Sequence, residues 1–162
     1  MTSREKLQQS LTTVLSGNAW YGPNVYSLLE QVSFEAAYEK PPGSAHNIAE
    51  MVLHMIAWTE EVMDRMNDQA PGIPSSGDWP PTGAPDEQKW QNYVNDLKLV
   101  NVNLQGIIQN FPPEKWDAVI PDEREPKVDF TYAGLIEGLI QHYVYHSGQI
   151  ALLLRLITPI IL

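Results

Sequence analysis

Residues 135–156 read LIEGLIQHYVYHSGQIALLLRL, and the apolar residues of this stretch recur with the period of an α-helix. One face of the predicted helix, stepping by four and three residues, consists of Leu135, Leu139, His142, His146, Gln149, Leu153 and Leu156. A face of this kind packs into the core of a protein, yet its middle is polar. A buried polar group without a partner costs roughly 1–3 kcal/mol. These polar side chains should therefore bind something, and a metal ion is the simplest single partner.

Two of the polar residues have the spacing of metal ligands. An interval of four helical residues places His142 and His146 about 40° apart around the axis and about 6 Å apart along it. Both imidazoles can then reach one metal ion. The alternative is a pair of histidines that are hydrogen-bonded within the core, and the spacing alone does not decide between these interpretations.

The length and composition of the chain predict a single globular domain over residues 1–162. A net charge of -10 argues against a nucleic-acid partner, because nucleic-acid binding requires clustered lysines and arginines. The chain has no cysteine, which excludes disulfides, thiolate ligands and a cysteine nucleophile. A metal would therefore be held by histidine and carboxylate, which suit zinc, nickel, manganese or iron. Any thiol in the chemistry would have to come from a cosubstrate.

No segment has the pattern of a signal peptide or of a membrane span. The first residues, MTSREK, begin a helix and contain no apolar signal core. Residues 150–162 are apolar, but they are shorter than the roughly 20 residues of a membrane span and are interrupted by Arg155. We expect a cytoplasmic protein with no membrane partner, in which this stretch ends a core helix and contributes to a subunit interface.

Helical patterns account for most of the chain, and no alternating β pattern is present. The predicted helices cover residues 3–16, 23–32, 44–66, 86–110 and 130–157. Thr2 and Glu5 form a capping box at the first helix, and Ser44 is the expected N-cap of the third. Two long loops, residues 67–85 and 112–129, connect the last three of these helices. Four long helices with apolar faces predict an all-α fold, a four-helix bundle.

A metal site needs a third ligand, and geometry favours His54 over His46. These two histidines are eight residues apart, about 12 Å along a helix, so both cannot belong to one site. His54 lies in the middle of its predicted helix, as His142 and His146 do in theirs, so the three can share one level of the bundle. His46 is expected at the surface, in the first turn of its helix.

Three further polar residues are candidates for supporting roles. Gln149 lies on the face of His142 and His146 and either orients a histidine or a bound water, or bonds to neighbouring backbone. Glu50 and Glu61 lie on the helix of His54 and are candidates for a carboxylate behind the metal or for a general base. A solvated acidic residue is the favoured interpretation of each.

The aromatic residues near the histidines have simpler interpretations. Tyr143 and Tyr145 flank the histidines but point elsewhere on the helix, so packing is expected of both. Trp58 is expected in the core, or in the wall of a pocket one turn from His54. The sequence contains no Gly-x-Ser-x-Gly, no phosphate-binding loop and no His-Glu-x-x-His. Any chemistry would therefore come from the metal.

The residues LIEGLIQHYVYHSGQI at 135–150 resemble the last helix of the DinB-like and YfiT-like metal-dependent enzymes, whose pattern is His-x-x-x-His-x-Gly-Gln-Ile. The segment AEMVLHMIAW at 49–58 is similar to the one that carries the first metal histidine of this family. The 88 residues between His54 and His142 also fit, so the resemblance covers nearly the whole chain. It implies a four-helix bundle, often a homodimer, with a divalent metal held here by His54, His142 and His146.

The resemblance also implies what the protein does. Characterised members are thiol S-transferases and isomerases that use low-molecular-weight thiols, and others are described as metal-dependent hydrolases. We therefore expect nickel or zinc, with manganese or iron as alternatives, and a metal that activates a thiol cosubstrate for transfer to a small electrophile. The first alternative is a hydrolase that uses a metal-bound hydroxide. The second is a non-catalytic bundle with a structural metal.

Overall fold

The computed structural model describes residues 1–122 and 130–158, and within them the protein is helical. The helices are α1 (Ser3–Ser16), α2 (Val25–Leu29), α3 (Phe34–Tyr38), α4 (Ile48–Met66), α5 (Glu87–Asn110) and α6 (Tyr132–Ile157). A 3₁₀ turn covers Pro113–Lys115. The β-type pairing of the described residues is an isolated antiparallel bridge between Val119 and Thr131. The predicted all-α class is confirmed, whereas the short helix α3 was not predicted.

The four long helices, α1, α4, α5 and α6, pack as a bundle in which α4 contacts both α5 and α6. The hydroxyl of Tyr132, at the start of α6, donates to Oδ1 of Asp68, which follows the end of α4 (2.9 Å). Nη1 of Arg4, at the start of α1, donates to the carbonyl of Gln109 at the end of α5 (3.2 Å). The pairs α4/α6 and α1/α5 are therefore antiparallel. This arrangement places the middle of α4 opposite the middle of α6.

Capping boxes define the starts of α1 and α4. Thr2 and Glu5 exchange side-chain and backbone hydrogen bonds at α1, as predicted. The predicted N-cap Ser44 is wrong, because α4 begins at Ile48 with Asn47 as its N-cap. Asn47 Oδ1 accepts from the backbone N–H of Glu50 (2.8 Å), and Glu50 Oε2 accepts from the backbone N–H of Asn47 (3.0 Å). Ser44 instead donates to the carbonyl of His46 within the preceding turn (2.6 Å).

The core contains most of the predicted apolar positions and a polar network around Tyr143. Tyr143, on α6, is completely buried, which confirms its predicted packing role. Its hydroxyl lies 2.6 Å from Oγ1 of Thr59 on α4 and accepts from Nδ2 of Asn101 on α5 (2.7 Å). Thr59 in turn donates to the carbonyl of Met55 (2.6 Å). The network ties three helices of the bundle together one residue away from His142.

The two long connections have different structures. Residues 67–86 contain no helix, as predicted, and they run beside the middle of α4, where Asp78 contacts His54. The second connection contains the 3₁₀ turn and the bridge to Thr131, and residues 123–129 of the predicted loop lie outside the described part. In the part of the chain that the structure describes, no helix combines the length and apolarity needed to cross a bilayer.

Candidate metal centre

Three histidines meet between α4 and α6. One ring nitrogen from each of His54, His142 and His146 lies within 4.8 Å of the other two, a spacing at which one metal ion can be held. The Nε2 atoms of His54 and His142 are 3.0 Å apart. The antiparallel arrangement of the two helices brings residues 88 positions apart in sequence to one level of the bundle. The structure thus brings together the three residues that the sequence selected.

Hydrogen bonds on the far side of two rings fix which nitrogen faces the centre. Nδ1 of His54 donates to the carbonyl of Asp78 (2.6 Å), and Nδ1 of His146 donates to Oε1 of Gln149 (2.7 Å). Because both acceptors are oxygens without a proton, each Nδ1 carries the hydrogen and each Nε2 carries a lone pair. Gln149 therefore orients a histidine, which was one of its two predicted roles.

The electrostatics of the cluster favour neutral rings. Burial, together with the adjacent His146 and His54 rings, lowers the pKa of His142 to about 3. Burial, and next the His54 ring, lowers the pKa of His146 to about 4. Burial also lowers the pKa of His54, although the hydrogen bond to the Asp78 carbonyl opposes this shift. At neutral pH the imidazoles are uncharged, which is the protonation state that ligates a metal.

The donor set fits a divalent cation. Nδ1 of His142 is buried and has no hydrogen-bond partner among the described residues. Nε2 of His54 lies 3.0 Å from Nε2 of His142, and one ring nitrogen from each of the three histidines faces the same space. A cation at this point could be held by one nitrogen from each ring. Three neutral imidazoles are a donor set suited to zinc, nickel or iron.

Asp78 and Trp79 of the connection between α4 and α5 contact the His54 ring. The Trp79 indole is stacked between two imidazoles, with its centroid 3.9 Å from His54 and 3.5 Å from His46. The Asp78 carboxylate accepts from Nε1 of Trp58 (2.7 Å) and lies 3.4 Å from Nδ1 of His54. These contacts limit the rotation of the His54 ring, so the connection between α4 and α5 is part of the site.

A cleft of about 950 Å³ opens onto the cluster. Its walls are mainly apolar and come from α4, α6 and the segments 41–46 and 78–79. Tyr145 and Leu156 line the cleft and are 63% and 64% exposed, so the cleft opens to solvent. The expectation that Tyr145 only packs is therefore wrong. The expectation that Leu156 lies in the core is also wrong. Trp58 is half-buried in the cleft wall, one of its two predicted positions.

Two expectations about residues on and before α4 need correction. His46 precedes α4 rather than lying in its first turn, and it lines the cleft and stacks on Trp79 instead of lying free at the surface. Glu61, expected to be solvated, is only 5% exposed and lines the cleft. Its Oε1 accepts from Nε of Arg65 (2.7 Å) and from the backbone N–H of Gly72 (2.8 Å).

Glu50 is occupied at the start of α4. Its Oε2 accepts from the backbone of Asn47 and lies 3.3 Å from Nδ1 of His46 and 3.8 Å from Nζ of Lys40. Asp78, Trp79 and Arg65 contribute to the site but were not selected from the sequence. Asp78 and Trp79 lie in a proline-rich connection without periodicity. Arg65 follows Glu61 by four residues, a helical ion-pair spacing that could have indicated a pair.

Comparison with other proteins identifies the family of this chain. A comparison with curated proteins gives no significant match. A sequence model of the DinB superfamily matches residues 23–150, more than half of the chain, and this region contains all three clustered histidines. The chain therefore belongs to the DinB superfamily.

Proposed function

We propose that this protein is a metal-dependent enzyme in which His54, His142 and His146 bind one divalent metal ion. The observation that carries the proposal is the convergence of three imidazoles in the wall of a solvent-accessible cleft. Nickel and zinc suit the imidazole donors best, with manganese and iron as alternatives. When bound, the metal would supply a Lewis acid that stabilises the thiolate form of a thiol.

The residues of the chain prepare this centre before any ligand arrives. The Asp78 carbonyl and Gln149 hold the Nδ1 hydrogens, so that Nε2 of His54 and of His146 presents a lone pair. Such partners keep ligand rings in one orientation and raise their basicity. The stack of Trp79 on His54 limits ring rotation and excludes water from one side of the ring.

The reaction that we propose is transfer of a low-molecular-weight thiol to a small electrophilic molecule. The chain has no cysteine, so the thiol must be a cosubstrate. Ligand sites typically have volumes of about 300–1,000 Å³, and a cleft of about 950 Å³ can hold a thiol and an electrophile together. The mainly apolar walls suit an electrophile of low polarity.

The alternative of a hydrolase has less support from the described residues. It requires a general base near the metal, yet the Glu50 carboxylate is bound in the capping box and the Glu61 carboxylate contacts Arg65 and Gly72. The alternative of a structural metal requires a fourth protein ligand. Among residues 1–122 and 130–158 the cluster contains three candidate ligands, His54, His142 and His146. A homodimer, a single domain over residues 1–162 and a cytoplasmic location remain predictions.

The first experiment measures metal content by mass spectrometry on tag-free wild-type protein and on His142→Ala. We expect about one metal per chain in the wild type and its loss in the variant. Gln141→Ala, an exposed change on the same helix, is the matched control and should keep the metal. Thiols such as bacillithiol or glutathione are then screened with electrophiles. A folded wild-type protein purified without metal, which also fails to take up zinc or nickel, would refute the proposal.

A further inference from the structure

A buried ion pair lies in the cleft away from the histidines. Glu61 and Arg65 are one helical turn apart on α4, and their side chains are 6% and 10% exposed. Nε of Arg65 lies 2.6 Å from Oε2 of Glu61 and donates to its Oε1. The backbone N–H of Gly72 also donates to Oε1 (2.8 Å), so Glu61 is held from two sides. The guanidinium of Arg65 is therefore fixed in position.

Most of the hydrogen-bonding capacity of Arg65 is unused. A guanidinium carries five N–H donors, and Glu61 engages only the one on Nε. Among the described residues, neither Nη atom of Arg65 has a hydrogen-bond partner. The side chain lines the cleft, as do the apolar residues Val62, Leu135 and Leu139. An oriented guanidinium with free Nη groups in an apolar wall has the properties of a site for a planar oxyanion.

The opposite wall leaves room at this point. Gly134 and Gly138 of α6 line the cleft, and the antiparallel packing places the first half of α6 beside the second half of α4. A glycine in the interior of a helix destabilises that helix relative to alanine. Gly138 is exposed, and a Cβ atom added there would meet nothing within 4 Å beyond its chain neighbours and the nearby backbone of its own helix. A side chain at residue 138 would therefore occupy part of the cleft that Arg65 also lines.

The distance between the ion pair and the histidines limits the length of a ligand. Glu61 follows His54 by seven residues, which is about 10 Å along the helix axis. Because the Arg65 guanidinium lies against Glu61, the anion position is about 10 Å from the histidines as well. Apolar side chains line the cleft between the two positions. A matching ligand has two polar ends about 10 Å apart and an apolar body between them.

We propose that Arg65 binds a carboxylate group of the small molecule whose other end lies at the histidine cluster. A singly charged group is favoured because Arg65 is the only lysine or arginine among the described residues that line the cleft, and Glu61 already balances its charge. Together with the proposed function, on which this last step rests, the site indicates that the molecule is a thiol bearing a carboxylate. Neutral thiols would then be poor cosubstrates.

The test uses octanoate and its uncharged analogue octanamide on the full-length protein after removal of metal by EDTA. Metal removal separates binding at Arg65 from binding of a carboxylate to a metal. Titrations followed by ¹H–¹⁵N NMR give both dissociation constants. The spectra also show the tryptophan indole N–H signals. Trp58 and Trp79 line the cleft, so their signals report binding there. We expect octanoate to bind about tenfold more tightly than octanamide or better, and to shift these two indole signals.

Variants separate the subsite from general effects of charge and folding. Removing Arg65 alone would leave Glu61 buried and unpaired, so the pair is replaced together as Glu61→Gln/Arg65→Gln. This double variant should bind octanoate and octanamide equally. Arg155→Gln removes one exposed positive charge away from the subsite and should keep the wild-type preference, whereas the double variant leaves the net charge unchanged.

A steric variant tests the same subsite without changing charge. Gly138→Leu places a side chain in the open space opposite Arg65 and should weaken octanoate binding at least tenfold. Gly148→Leu, at an exposed position of α6 outside the cleft, is its control and should bind normally.

Equal wild-type affinity for octanoate and octanamide, or a preference that survives the double replacement of Glu61 and Arg65, would overturn the proposal. Because probe and protein contain neither thiol nor metal, a failed metal analysis would refute the proposed function and leave this result standing.

Discussion

Replacing Gln149 by alanine should weaken metal binding about tenfold. Oε1 of Gln149 accepts the Nδ1 hydrogen of His146 at 2.7 Å, and this bond keeps the Nε2 lone pair of His146 directed toward His54 and His142. In Gln149→Ala the imidazole loses that acceptor. Its hydrogen can then move to Nε2, which would remove the lone pair that a metal needs.

The magnitude follows from the burial of the two partners. Loss of a hydrogen-bonding partner behind a ligand histidine typically reduces metal affinity 10–100-fold, which corresponds to about 1.4–2.7 kcal/mol. His146 is buried, but Gln149 is only half-buried and lines the cleft, so a water molecule can take its place in part. We therefore expect the lower end of this range. Gln149→Glu replaces the amide with a charged acceptor and should bind metal at least as tightly as the wild type.

Metal dissociation constants are measured by competition with a fluorescent zinc chelator. Gln141→Ala is the matched control, because residue 141 is exposed on the same helix and undergoes the same chemical change. Thermal unfolding of the metal-free variants reports whether the fold is kept. If Gln149→Ala binds zinc within twofold of the wild type, or if Gln149→Glu is weakened as much as Gln149→Ala, then Gln149 does not orient a ligand.

Three further predictions concern stability. As the pH of metal-free protein falls from about 6.5 toward 5, the free energy of unfolding should decrease. In the folded protein the pKa values of His142 and His146 are about 3 and about 4, so both rings stay neutral over this range. In the unfolded chain the same histidines bind protons, which stabilises the unfolded state. Urea titrations should give a slope approaching about 1.4 kcal/mol per pH unit for each histidine, and a flat profile would contradict this. Tyr143→Phe should cost about 1–2 kcal/mol in urea unfolding, since its hydroxyl closes a buried network, and an unchanged midpoint would contradict that role. Asn47→Ala should cost about 1 kcal/mol through loss of the capping box, whereas Ser44→Ala should cost clearly less; equal losses would contradict the assignment of Asn47 as N-cap.

The sequence was sufficient where the pattern repeats along a helix. The apolar period of 135–156 located α6, and the interval between His142 and His146 placed both rings on one side of it. His54 could be selected because its position in the middle of α4 predicted the same level of the bundle as His142 and His146. Each of these inferences uses only local helix geometry, which the sequence expresses directly.

The sequence was insufficient where contacts depend on the path of a loop. Asp78 and Trp79 lie between Met66 and Glu87, where no period predicts which residues meet α4. The start of α4 was misplaced because Ser44 and Asn47 are both good N-cap residues. Only Asn47 has a glutamate three residues later, which supplies the second hydrogen bond of the capping box. The burial of Glu61 could not be foreseen without the contact to Gly72, eleven residues later.

The buried polar groups along α6 are of two kinds, which differ in their partners and in their access to the cleft. The hydroxyl of Tyr143 has its partners, Thr59 and Asn101, on two neighbouring helices. His142, the preceding residue, has a buried Nδ1 without a partner among the described residues, and its Nε2 lies 3.0 Å from Nε2 of His54. A buried polar atom without a partner costs free energy, and a cation held by the three imidazoles would add a favourable contact at this point. The histidine cluster lies at a cleft that is open to solvent, whereas the Tyr143 hydroxyl lies in the core. This contrast is the physical argument that the histidines exist for a ligand that enters from the cleft.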